Sequence, residues 1–161
     1  MKVKKNLLHE SFEDPKYSNL RFKSVKTVCY YLENDPIVDA FKHIVGIFTG
    51  YNHHHQKMFT HFGLLLIATD GTQWVTERSD VCVVLGELDG KIEPPEQDVE
   101  IWDHLDIQFQ DVFSFAREQS KLEYSCVTKN CKHFCYDFRR NVIGHMEHFG
   151  DYCQNIESRI N

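Results

Sequence analysis

The stretch HFGLLLIATDGTQWVTERSDVCVVLGEL, residues 61–88, constrains the fold more than any other. Two apolar runs flank Asp70-Gly71, a strong turn signal, so they pair as an antiparallel hairpin. The first run, HFGLLLIA, is apolar on both faces after His61, the pattern of a central strand. VCVVLGEL reads as a third strand, or as a continuation after a bend. Upstream, SVKTVCYYLE (Ser24–Glu33) is β-branched and aromatic with partial alternation, so it too reads as a strand. In the next segment Asp35 suits a cap and Pro36 the first helical position. Ile37, Phe41, Ile44, Val45 and Phe48 form one stripe, so a helix is expected over 35–50.

Residues 87–106 hold eight acidic residues and one Lys, and Pro94-Pro95 breaks any regular element. They read as an acidic surface crossing, with a docking face for a protein partner as the alternative. QFQDVFSFAREQSKLEY then repeats apolar residues at helical spacing. A last helix is expected from Asn130 through Cys131, Phe134, Cys135, Phe138 and Val142, ending near Gly144 or Gly150. These elements make one α+β domain over 1–161, an antiparallel sheet packed against helices, with residues 1–22 as a flexible leading segment.

Charge and cysteine usage narrow the function. A formal charge of −6 and a pI near 5.9 argue against a nucleic-acid binder and a basic membrane-surface protein. No apolar run approaches the roughly 20 residues of a transmembrane helix. The beginning of the chain lacks the apolar stretch of a secretory signal, so a cytoplasmic location and reduced thiols are expected. No Cys-x-x-Cys pair occurs among the six Cys, which removes the main support for zinc-ribbon and thioredoxin-like readings.

The block VTKNCKHFCYDFRR, residues 127–140, carries the chemistry. Asn130 is a good N-cap, which puts Cys131 in the first turn of a helix. There about half a positive charge and unpaired N–H groups favour a thiolate and an oxyanion. A thiol nucleophile also needs a base, and His61, opening a central strand, is the best placed of the ten His. A third group orients such a His. If the turn is a three-residue loop, Thr69-Asp70-Gly71, then Ala68 pairs with Thr72 and Gly63 with Glu77. Glu77 then shares a face with His61, one diagonal step away. A two-residue Asp-Gly turn sends Glu77 to the other face. Gln73 is the weaker candidate.

Plainer readings compete. A Cys taken alone is most often a small buried hydrophobe. Cys126, Cys131, His133 and Cys135 invite a zinc site, but their spacing fits no usual ligand knuckles. No metal and no cofactor are expected. His53-His54-His55 read as a polar loop, and His145 and His148 as partners of a helix C-terminus. Cys135 is expected to pack in the core, although it lies one turn from Cys131. Trp74 reads as a cross-strand packing residue or as the wall of a groove beside the site.

These residues resemble the H-box/NC proteins, the group that includes lecithin:retinol acyltransferase and small phospholipase/acyltransferases. The likeness rests on His61 opening a strand, on Asp70-Gly71, on Tyr124 seven residues before the Cys, and on Asn130-Cys131-Lys132-His133-Phe134. Arg139-Arg140 matches the basic end of that helix. The likeness runs from Ser24 to the final helix. It implies a circularly permuted papain-like (NlpC-type) fold, with Cys131 as nucleophile, His61 as base and Glu77 as orienter. Asn130, Tyr124, Trp74 and His133 would support the site. It also implies a lipid or acyl substrate first and a peptide second. Glu77 stands where the family carries a second His, the expected helix at 35–50 reads as an insertion, and no counterpart of the family's carboxy-terminal membrane anchor is expected. Some viral relatives share the motif without an established activity, so a catalytically silent interaction module is the alternative, beside a cysteine peptidase of the same superfold.

Overall fold

A computed structural model describes residues 4–9, 15–31, 60–89, 97–125 and 127–160. The chain is an α+β protein. Strands β1 (Arg21–Tyr31), β2 (Thr60–Ala68), β3 (Gln73–Arg78), β4 (Val83–Glu87), β5 (Gln97–Trp102) and β6 (Ile107–Gln108) form one antiparallel sheet. The order is β4-β3-β2-β1-β5, and β6 pairs with the start of β1. Among the described residues four α-helices accompany it: α1 (Pro15–Ser18), α2 (Phe109–Ser120), α3 (Cys131–Phe138) and α4 (Phe149–Ser158). The expected helix at 35–50, the His53–His55 run and Cys126 lie outside the described residues. No described helix is long and apolar enough to cross a membrane.

The hairpin between β2 and β3 uses the three-residue loop. The Ala68 amide donates to Thr72 O at 2.9 Å, and Gly63 pairs with Glu77. Gly71 sits at φ 87°, the left-handed conformation that this loop requires and that glycine adopts without strain. Asp70 Oδ1 accepts from the Thr72 amide at 2.9 Å and the Thr72 hydroxyl at 2.7 Å. These bonds hold the Asp70 carboxyl below its usual value.

Period-two alternation sorts the strands into faces. Val25, Phe62, Leu64, Leu66, Trp74 and Leu85 join the main core with α2, α3 and α4. Val28, Leu65, Val75 and Leu88 form a smaller cluster on the other face. β2 is therefore apolar on both sides, as its composition demands.

Two expectations are corrected and a third is refined. The crossing at 87–106 is not all loop, because 97–102 is β5, paired with β1. Within β5, Asp98 and Glu100 flank a buried Val99 and each finds a cation: Asp98 meets Lys26 at 2.9 Å and Glu100 meets Arg139. At the two ends of the crossing Glu87 meets Lys4 and Asp106 meets Arg21. The segment 1–22 is not simply a flexible leader. Leu7 is buried in the core, Asn6 Nδ2 donates to Val83 O, and β1 begins at Arg21 rather than Ser24. The helical run that begins at Cys131 ends at Gly144, one of the two expected ends, with one refinement: α3 is regular to Phe138 and widens into a π-type turn over Arg139–Ile143 that Gly144 terminates at φ 84°. A separate helix, α4, follows and buries Tyr152 and Ile156 against the core. Each such side chain contributes about 1.5–3 kcal/mol.

Candidate active site

The site forms where β3 leaves β2. Pairing of β2 with β1 continues to Thr60, whereas pairing with β3 stops at Gly63 and Glu77. Arg78, at the end of β3, is buried and donates from its guanidinium to the carbonyls of Gln119 and Leu122 at the end of α2. α3 packs against β2 and β3. Cys131 is 8% exposed there, buried but not sealed.

Asn130 is the N-cap, with extended backbone at φ −96° and ψ −173°. Its Oδ1 accepts from the amides of Lys132 at 3.0 Å and His133 at 3.2 Å. Those two amides are thereby committed. Among the described residues, the Cys131 N–H is the first-turn amide left without an acceptor.

His61 joins the two other candidates. Its Nε2 lies 3.4 Å from Glu77 Oε2, and its ring hydrogen-bonds the Cys131 thiol. Burial opposes a charged imidazole. The hydrogen bonds to Cys131 and Glu77, with the charges of both, prevail and push His61 up to about 10. Burial likewise opposes the Cys131 thiolate. The hydrogen bond and charge of His61, a backbone hydrogen bond from Phe62 and the Lys132 ammonium prevail and hold the thiol below its usual value. The arrangement therefore favours a thiolate–imidazolium pair with Glu77 behind it, the form that attacks an electrophilic carbonyl.

The remaining candidates take different places. His133 is half-buried beside Asn130, and its ring stacks on Phe149 with centroids 4.0 Å apart. Tyr124 is half-buried and within electrostatic reach of Arg78. Trp74 is a core residue and not a groove wall. It sits three residues before Glu77 on the opposite face, with Phe109 at 5.3 Å and Tyr17 at 5.7 Å. Cys135 is buried one turn beyond Cys131, and burial pushes its thiol well up. His148 is the N-cap of α4, at a helix start rather than a C-terminus, because the chain begins a new helix there. Among the described residues no three His, Cys, Asp or Glu side chains converge as a metal site.

The sequence reading missed two contributors to the site, and the surroundings of Arg139. Lys132 follows the nucleophile and lends it positive charge. The Phe62 backbone reaches the sulfur, which no side-chain motif encodes. Arg139, two turns after Cys131, is buried between Glu147 at 2.7 Å and Glu100 at 3.4 Å, with the Trp102 and Tyr152 rings about it. The i, i+4, i+8 spacing of Cys131, Cys135 and Arg139 was the available signal for that last one. Comparison of the chain with protein-family models, with curated proteins and with solved structures finds no match.

Proposed function

We propose that the chain is a cysteine-dependent acyl hydrolase or acyltransferase of the H-box/NC type, with a circularly permuted papain-like arrangement. The observation that carries this reading is His61, which touches both the Cys131 thiol and the Glu77 carboxylate. The order of the parts also supports it, since the strand bearing the base precedes the helix bearing the nucleophile.

In this reading the Cys131 thiolate attacks an ester carbonyl. The carbonyl π electrons move to oxygen, which faces the Cys131 N–H. Collapse breaks the bond to the leaving alkoxide, and His61 gives that oxygen its proton. The acyl group remains on Cys131 as a thioester. Water, a hydroxyl or an amine then attacks, His61 takes the incoming proton, and the thiolate departs. The His61–Glu77 contact keeps the imidazole oriented through both halves. Lipid acyl esters are the first substrates of this reading and peptides the second, as the motif implies.

Incubation with phosphatidylcholine vesicles, followed by intact-mass and peptide mapping, tests it. The expected result is an added acyl mass on Cys131, or free fatty acid released over time, both abolished by Cys131→Ala. Release that survives Cys131→Ala would contradict it, as would wild-type protein that yields neither fatty acid nor adduct.

A further inference from the structure

One oxygen at the start of α3 carries three hydrogen bonds. Besides the two backbone amides, Asn130 Oδ1 lies 2.9 Å from His133 Nδ1. An amide oxygen that already accepts from two N–H groups has no proton to give. His133 is therefore the donor, with its proton on Nδ1. The two amides also fix which Asn130 atom is the oxygen.

The His133 ring is held from outside by α4. Phe149, the first residue of α4, stacks on it at an interplanar angle of 25°. Tyr136, one turn along α3, packs on the same Phe149 ring at 5.2 Å and donates from its hydroxyl to Glu147 O at 2.6 Å. The cap of the nucleophile helix is thus clamped by a side chain that α4 immobilises.

We propose that His133 is a positioning residue for acyl transfer, acting through Asn130. Its Nδ1–H keeps Asn130 Oδ1 over the Lys132 and His133 amides. That arrangement leaves the Cys131 N–H as the first-turn donor for the reacting carbonyl and fixes its direction. The inference rests on the thiol-nucleophile reading of the site. It adds that the His of Asn-Cys-Lys-His serves the oxyanion and not the thiol.

This division of labour is measurable, because two reactions of Cys131 differ in what they need. Alkylation by iodoacetamide is a displacement at carbon and forms no oxyanion. Acylation by p-nitrophenyl acetate passes through one. Both rates are measured at Cys131 by mass spectrometry in wild type, His133→Phe and His133→Asn. Phe keeps the ring against Phe149 and loses the donor. Asn loses most of the ring and keeps a donor near the Nδ1 position.

The expected result is a fall of about tenfold or more in acylation for His133→Phe, the scale of a misdirected catalytic group. Alkylation should change less than about twofold, and His133→Asn should recover most of the acylation. Loss of both reactions by one common factor overturns the proposal in favour of a packing role. So does His133→Asn failing where His133→Phe succeeds, and so does His133→Phe matching wild type in both. Wild-type Cys131 that reacts no faster than the other thiols marks failure of the nucleophile reading itself, a separate outcome.

Discussion

His61 Nε2 and Glu77 Oε2 stand 3.4 Å apart, on adjacent strands whose register a three-residue turn sets. Glu77 thus supplies the negative charge that favours imidazolium over imidazole. Glu77→Gln keeps the shape and removes the charge. His61 then holds its proton less firmly, and the Cys131 thiol rises. Alkylation of Cys131 near pH 6 should fall about tenfold, because a neighbouring opposite charge shifts a pKa by about one unit or more. Near pH 9.5 the variant and wild type should react alike. An unchanged rate at pH 6 means that Glu77 does not set the charge of the pair.

The same pair predicts an unusual pH dependence of stability. Unfolded, His61 titrates near 6.5 and Cys131 near 9.0. Folded, His61 is raised to about 10 and Cys131 is lowered. The raised imidazole favours the folded state most below pH 6.5, and that advantage is lost as pH rises through about 10. The lowered thiol favours the folded state most above pH 9, and that advantage is lost as pH falls through its folded value. Where the two overlap, below pH 9, they oppose each other. Above pH 9 only the loss at the imidazole remains, so stability falls as pH rises from 9 through about 10. Urea unfolding of wild type minus His61→Ala/Cys131→Ala should show that fall. A difference that stays flat across it would refute the raised imidazole.

Arg139 should matter to stability more than any surface charge. Its side chain is 8% exposed, and its partners Glu100 and Glu147 are 11% and 18% exposed. Arg139→Met leaves two carboxylates facing a buried, uncompensated site, at a cost of about 3–5 kcal/mol. Adding Glu100→Gln removes one stranded charge and should recover part of that loss. Chemical denaturation of the single and double variants checks this. A double variant as unstable as the single one would show that the charge on Glu100 is not what Arg139 offsets.

The sequence was most legible where a local rule fixed geometry. Asp70-Gly71 between apolar runs located the hairpin, and the N-cap preference of Asn130 located the start of α3. The register that brings Glu77 to His61 was legible only as one of two options. The choice depends on Gly71 taking the left-handed position of a three-residue loop, which composition alone does not state. β5 was hidden because Pro94-Pro95 and the acidic run resemble a loop. Its pairing with β1 and its charge partners Lys26 and Arg139 come from distant parts of the chain. α4 was hidden because α3 and α4 read as one apolar pattern until Gly144 breaks it. The role of His133 was invisible at the level of residue type, since it depends on one oxygen accepting three donors.

The most direct test of the account is the pH profile of iodoacetamide labelling at each cysteine, resolved by peptide mass spectrometry. Cys131 should label fastest below pH 7, with a midpoint below that of an ordinary thiol, and His61→Ala should move that midpoint up toward 9.0. Buried Cys135 should label slowly throughout. A Cys131 midpoint near 9.0 in wild type, unmoved by His61→Ala, would contradict the thiolate–imidazolium pair on which the proposed chemistry stands.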